Sequence, residues 1–98
     1  MGIFFGRNTG TRSYTYSSEL AQKVERAGGK SSTGAAQLLG FMRNGSDTKP
    51  LRGEEAEQAA RSLREVAPRL RRGDRRIVEQ IARDAQEAAD SGRPWTVG

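Results

Sequence analysis

The fold of this chain is decided by residues 54–89, which read EEAEQAARSLREVAPRLRRGDRRIVEQIARDAQEAA. In the first half of this stretch, apolar residues recur every three or four positions and so form one helical stripe. The stripe consists of Ala56, Ala59, Ala60, Leu63, Val66, Ala67 and Leu70. We predict a helix that reaches Leu70, with a kink or a tightened last turn at Pro68, because proline lacks a backbone N–H and disfavours helix at the preceding residue.

A further helix is predicted from Asp74 to about Ala89. Gly73 is read as the stop of the preceding helix and Asp74 as the N-cap of the new one. The inward-facing residues are expected to be Ile77, Val78, Ile81, Ala82, Ala85 and Ala88. Such a short connection predicts an antiparallel helical hairpin at the C-terminal end of the domain.

Two more helices are predicted before the hairpin. One spans residues 18–27 with Ser17 as its N-cap, and the other runs from Ser32 or Thr33 to about Arg43. The chain is therefore expected to be a mainly α, small four-helix domain over residues 1–98, with its helical body in residues 18–91.

The two ends of the chain are expected to be extended. Residues 1–17 form an extended lead that can contain a short strand pair, since residues 3–5 are apolar, residues 6–10 are typical of a turn, and residues 14–16 alternate with period two. Residues 92–98 are expected to form an extended tail, with Trp95 folded back onto the helices.

Composition restricts the chemistry that the chain can perform. The chain has 98 residues, of which 34% are hydrophobic, and it contains neither cysteine nor histidine. It therefore lacks disulfides, a Cys/His zinc site, the usual neutral-pH base and the strongest nucleophile. The closely spaced acids Glu54 and Glu57, and the set Asp84, Glu87 and Asp90, are interpreted as solvated helix faces. We expect a cytoplasmic, non-membrane protein that is not an enzyme and uses no metal or cofactor.

Five arginines lie within eight residues at the predicted hairpin turn: Arg69, Arg71, Arg72, Arg75 and Arg76. In this reading Arg69, Arg71 and Arg72 follow the dipole preference of the helix that they end, whereas Arg75 and Arg76 oppose that of the helix that they begin. The net charge is +5, and the predicted hairpin is basic at its turn and acidic at its open end.

Three interpretations of this cluster remain open. The cluster can bind the phosphate backbone of DNA or RNA, since guanidinium groups pair with phosphate oxygens. Alternatively, the charged hairpin and the aromatic residues serve a protein partner or a homodimer. The simplest interpretation is a charged helix end without a ligand.

Short motifs at several points resemble one protein family. Met1-Gly2-Ile3 and Phe5-Gly6 at the start, an acid- and alanine-rich helix over residues 54–67, and Arg93-Pro94-Trp95 near the end are similar to a group of uncharacterised actinobacterial proteins of about 100 residues. The group has no assigned activity, so the resemblance implies no functional residue. It implies a cytosolic accessory protein of a GC-rich bacterium or of one of its phages.

Overall fold

A computed structural model of the protein describes residues 2–28 and 49–96. Within these residues, two strands are followed by three α-helices, which confirms the mainly α class. The elements are β1 (Gly2–Gly6), β2 (Gly10–Ser13), α1 (Tyr14–Gly28), α2 (Glu54–Val66), a 3₁₀ turn (Ala67–Arg69) and α3 (Arg72–Asp90). The helix predicted over residues 32–43 lies outside the described residues.

The N-terminal lead contains the strand pair that the sequence suggested. β1 and β2 are antiparallel, with Gly2 opposite Ser13 and Phe4 opposite Thr11, and a bulge lies between Phe4 and Gly6. A three-residue turn, residues 7–9, connects the two strands.

The period-two pattern of residues 14–16 does not form a strand, and Ser17 does not cap the first helix. α1 begins at Tyr14 because Ser13 provides the cap: its Oγ accepts a hydrogen bond from the Tyr16 N–H at 3.2 Å. Ser17 is buried inside the first turn, and its hydroxyl donates to the Ser13 carbonyl at 2.8 Å. Local hydrogen bonding at Ser13 thus overrides the β-propensity of the two tyrosines.

Pro68 produces the expected tightened turn. α2 ends at Val66, residues Ala67–Arg69 form one turn of 3₁₀ helix, and Leu70 is extended with φ −99° and ψ 163°. At its other end, α2 carries Glu54, Glu55 and Glu57 in the first turn, where acidic side chains favour the helix dipole.

The predicted N-cap of the last helix, Asp74, was wrong by three residues. α3 begins at Arg72, after an extended Arg71 with φ −64° and ψ 155°, so Gly73 does not end a helix and Asp74 is not an N-cap. Asp74 lies in the first turn, and its carboxylate accepts hydrogen bonds from Tyr16 and Lys23 of α1. A tertiary contact therefore uses the side chain that the local pattern assigned to capping.

The helical hairpin supplies most of the core. α2 and α3 pack along their lengths, and the apolar stripes predicted for them are buried apart from Leu70 and Ile77, which are half-buried. Leu20, Ala21 and Val24 of α1 and Phe5 of β1 complete the core.

Trp95 folds back onto the helices, as predicted, and lies at the open end of the hairpin. Only 3% of Trp95 is exposed, and its backbone pairs with Leu51 through two hydrogen bonds of 2.7 and 3.1 Å. Because Leu51 precedes α2 and Trp95 follows α3, this bridge joins the start of one helix to the end of the other, as an antiparallel arrangement requires.

Candidate anion-binding site

All five arginines of the cluster are exposed, but two of them are engaged with neighbouring groups. Arg69 donates from Nη1 to the carbonyl oxygen of Ala27 at 2.6 Å and thereby binds the C-terminal end of α1. Arg75 forms an ion pair with Glu79, at 2.8 Å between Nε and Oε1. The side chains of Arg71, Arg72 and Arg76 make no hydrogen bond or ion pair with any residue in 2–28 or 49–96.

Because α3 begins at Arg72, the arginines of the cluster interact with the helix dipoles differently from what the sequence predicted. Arg71 and Arg72 were expected at the negative end of the preceding helix, but they occupy the N-cap and the first position of α3. They join Arg75 and Arg76 at the positive end of the α3 dipole, where each exposed base is unfavourable by about 0.3–1 kcal/mol. A favourable interaction with a helix dipole therefore accounts for the position of Arg69 alone among the five arginines. At the N-terminal end of α3, the helix dipole and the other four arginines all contribute positive potential.

A groove beside this helix end brings in bases from α1. It has a volume of about 520 Å³ and lies between the C-terminal end of α1 and the connection that leads into α3. Its lining residues are Lys23, Arg26, Ala27, Arg69, Leu70, Arg71 and Asp74. Four bases from two separate parts of the chain thus face one groove with a single acid among them; we call it the basic groove.

Asp74 fixes one wall of the basic groove. Its carboxylate accepts from the Tyr16 hydroxyl at 3.0 Å and from Lys23 Nζ at 3.1 Å, and its side chain is only 13% exposed. Burial, the hydrogen bond to Asp74 and the negative charge of Asp74 together raise the pKa of Tyr16 from 10.0 to about 12. The phenol therefore remains a hydrogen-bond donor at neutral pH, and Lys23 is held at the groove wall.

The cluster is divided between two faces. Arg69 and Arg71 line the basic groove, whereas Arg75 lines a different depression of about 290 Å³ together with Arg64, Pro68, Glu79 and Arg83. Arg72 and Arg76 line neither of these two. The predicted site residues hence lie near one helix end but do not converge on one surface.

Two residues of the basic groove were missed by the sequence analysis. Lys23 and Arg26 are some 45 positions from the cluster in sequence, and only the packing of α1 brings them to it. Their spacing of three residues places them on neighbouring positions of a helix surface. This spacing is only a weak indication of a binding site, because most exposed helix faces carry such pairs.

The acidic residues of α3 also differ from expectation. Asp84 is not on a solvated face: it is 6% exposed, and its carboxylate accepts four hydrogen bonds from the turn of the N-terminal hairpin. The backbone and side-chain amides of Asn8 donate to Oδ1 at 2.8 and 2.9 Å, and the Thr9 amide and hydroxyl donate to Oδ2 at 3.2 and 2.6 Å. Asp84 thus holds the hairpin turn against α3.

Two other kinds of feature are absent from the described part of the chain. Residues 2–28 and 49–96 contain no group of three or more acidic side chains placed to hold a metal ion. Among the helices of these residues, none combines the length and the apolar character that a membrane span needs.

The fold and the site together define a small, mainly α domain with an N-terminal β-hairpin and a basic groove at one end of a helical hairpin. A family model described as a domain of unknown function, DUF7739, matches residues 5–97, and the chain belongs to that family. Neither the curated proteins nor the solved structures gave a match. The resemblance to an uncharacterised family is confirmed at this level.

Proposed function

We propose that this protein is a non-enzymatic accessory or regulatory protein that binds the phosphate backbone of a nucleic acid through the basic groove and the adjoining start of α3. The observation that carries the proposal is the meeting of bases from α1 and from the α2–α3 connection around one groove. Phosphate suits this surface, because guanidinium groups donate in pairs to its oxygens and displace condensed counterions.

The bases around the site divide into two groups with different roles. Lys23 and Arg69 are already hydrogen-bonded, to Asp74 and to the Ala27 carbonyl, so they shape the groove. The side chains of Arg26 and Arg71 in the groove, and of Arg72 and Arg76 at the start of α3, have no partner among the described residues and are exposed. These four arginines are the proposed phosphate contacts.

The test is a fluorescence anisotropy titration with labelled duplex and single-stranded oligonucleotides of DNA and RNA at several salt concentrations. Four phosphate contacts predict a slope of about −3 to −4 for log affinity against log salt on duplex DNA. Absence of binding to every oligonucleotide at low salt refutes the proposal.

A matched pair of double variants separates this site from general charge attraction. Arg71→Ala with Arg72→Ala removes two proposed contacts, while Arg52→Ala with Arg61→Ala removes two other exposed arginines near the start of α2 and in its middle. The first variant should reduce the salt slope by about two, and the second should leave it nearly unchanged. Equal losses in both variants mean that binding does not use the basic groove.

The alternative function is a protein-interaction module or a homo-oligomer. The observation that favours it is the exposure of two large aromatic side chains in the N-terminal part, 50% for Phe4 and 51% for Tyr14. Light scattering at increasing protein concentration, repeated with Phe4→Ser, tests it. A mass that stays monomeric at all concentrations counts against self-association.

Composition supports the setting that goes with the proposed function. Arginine outnumbers lysine fourteen to three, as expected for a GC-rich genome such as that of an actinobacterium or its phage. A ligand of this kind also implies a cytoplasmic location.

A further inference from the structure

The bases at the start of α3 lie on two opposite sides of the helix. The basic groove is on the side that carries Asp74. Arg76 follows Asp74 by two positions and Arg83 follows it by nine. At about 3.6 residues per turn, both arginines lie roughly half a turn away from Asp74 around the helix axis. Arg76 and Arg83 are exposed, so a second basic surface faces solvent on the side away from the groove.

This second surface, which we call the arginine face, follows one line along α3. Its residues recur at spacings of three and four, which places them on one side of a helix. They are Arg72, Arg75, Arg76, Glu79 and Arg83, and all of them are exposed. The arginine face has four arginines and one glutamate, which is the same charge balance as the four bases and one acid of the basic groove.

Most of the positive charge on the arginine face is available to a ligand. Glu79 is paired with Arg75, at 2.8 Å between Glu79 Oε1 and Arg75 Nε. The side chains of Arg72, Arg76 and Arg83 make no hydrogen bond or ion pair with the other described residues. Arginines without a partner in residues 2–28 and 49–96 are thus present on both sides of the start of α3.

A duplex groove offers phosphates on both of these sides. A helix with its side chains is about 10–12 Å across, and the major groove of B-form DNA is about 12 Å wide, with a phosphate backbone along each edge. The minor groove, at about 6 Å, is too narrow to admit a helix. A single strand has only one backbone, and the major groove of double-stranded RNA is too deep and narrow for side chains to read. B-form DNA therefore matches a helix start with bases on two opposite sides.

The side chains around the start of α3 are not those that favour a single strand. Proteins that bind single strands stack bases on aromatic side chains beside a basic groove. The sequence of α3 contains no aromatic residue, and none lines the basic groove. Phe4 and Tyr14, which are half exposed, belong to β1 and to the first turn of α1. Tyr14 is about 18 Å along α1 from Arg26, so it does not stack a base next to the groove.

We propose that the start of α3 inserts into the major groove of duplex DNA, with one phosphate strand against the basic groove and the other against the arginine face. Duplex DNA is then the ligand of the proposed function, on which this inference rests. Arg83 joins the phosphate contacts, and the division of the arginine cluster between two faces has a reason. Asp90 lies on the same side of α3, about 10 Å beyond Arg83, and repels phosphate, so the DNA contacts the first three turns of the helix.

The experiment compares four fluorescent probes by anisotropy at low salt. They are a DNA duplex, the RNA duplex of the same sequence, one of the DNA strands alone, and the DNA duplex with glucosylated 5-hydroxymethylcytosine in place of cytosine. The sugars of the last probe fill the major groove and leave the phosphates in place. We expect the unmodified DNA duplex to bind about tenfold or more tightly than each of the other three.

Two double variants test the two sides of the helix separately. Arg76→Gln with Arg83→Gln removes two contacts from the arginine face, and Arg26→Gln with Arg71→Gln removes two from the basic groove. Each should reduce the slope of log affinity against log salt on duplex DNA by about two.

A matched control removes the same charge elsewhere. Arg52→Gln with Arg61→Gln changes exposed residues before α2 and in its middle, and it should leave the salt slope nearly unchanged. Binding of the single strand, the RNA duplex or the glucosylated duplex as tightly as the DNA duplex overturns insertion into the major groove but leaves nucleic-acid binding in place. The same holds if only the basic-groove variant lowers the slope. If no oligonucleotide binds, this inference and the proposed function both fail.

Discussion

Replacing Asp84 by asparagine or alanine tests the contact that joins the N-terminal hairpin to the helices. The carboxylate accepts four hydrogen bonds at 2.6 to 3.2 Å, two from Asn8 and two from the buried Thr9. In Asp84→Asn one oxygen becomes an NH₂ group, so one pair of donors faces another donor. If the amide oxygen remains with Thr9, the partly exposed Asn8 can turn to water, and about half of the network survives.

The expected magnitudes follow from the number of donors left without an acceptor. A hydrogen bond to a charged group contributes about 1.5–3 kcal/mol and a buried orphaned donor costs about 1–3 kcal/mol, with losses that are not additive. We expect Asp84→Asn to lower the free energy of unfolding by about 2 kcal/mol and Asp84→Ala by about 3–5 kcal/mol. A domain of this size has about 5–15 kcal/mol in total, so the alanine variant should be close to its folding limit.

Thermal and urea unfolding followed by circular dichroism measure these losses. A loss of 2 kcal/mol corresponds to a fall in Tm of roughly 10 °C for a domain of this length. The control is Asp90→Asn on the same helix, because Asp90 is exposed and, among the described residues, its carboxylate accepts only from Gln86. That change should be neutral or slightly stabilising, since it removes a negative charge from the C-terminal end of α3. If Asp84→Asn and Asp90→Asn have the same stability, Asp84 does not anchor the hairpin.

Two further predictions concern single groups. In Tyr16→Phe the hydrogen bond to Asp74 is lost. The pKa of Tyr16 is about 12 in the folded chain and 10.0 in the unfolded one, so the stability that it confers is present below about pH 10 and is lost as the pH rises towards 12. The difference in urea stability between wild type and variant should therefore shrink between about pH 10 and pH 12, and a constant difference contradicts this. Gly6→Ala should destabilise by at least about 1 kcal/mol more than Gly10→Ala, since both glycines have positive φ, but only at Gly6 does an added Cβ come within 2.7 Å of the Asp84 Cβ. Equal melting temperatures for the two variants would exclude this close approach.

Periodicity predicted the helical hairpin because burial on a helix leaves a visible pattern. The stripes of α2 and α3 contain the apolar residues that the structure buries, and Pro68 ends the regular helix where its missing N–H requires it. The burial of Trp95 was also predictable, since a large aromatic side chain in a small domain favours the core.

The errors arose where tertiary contacts use residues with strong local preferences. Glycine followed by aspartate, as at Gly73 and Asp74, is typical of a helix end followed by an N-cap. In the structure, however, the Asp74 carboxylate accepts hydrogen bonds from Tyr16 and Lys23. Asp84 is three residues after Ile81 and four before Ala88, which places it on the buried face of α3. The spacing therefore contained the signal for a buried acid, but its partners Asn8 and Thr9 could not be identified from a single sequence.

The candidate site was predictable only in part for the same reason. The arginine cluster is evident from the sequence. Whether its charges are favourable or unfavourable to the helix dipole depends on the residue at which α3 begins. The groove depends in addition on α1, since Lys23 and Arg26 reach the cluster through packing and through the hydrogen bond from Arg69 to Ala27.

The Leu51–Trp95 bridge and the Asp84 network differ in how far apart their partners lie in sequence. Residues 51–95 close on themselves through contacts between neighbouring helices and through the bridge. The turn at Thr9, in contrast, is bound by a residue 75 positions later in the chain. A ribosome that adds about 5–20 residues per second completes Asp84 roughly 4–15 seconds after Thr9. During that interval the first hairpin of the nascent chain has no anchor for its turn, although it is synthesised first.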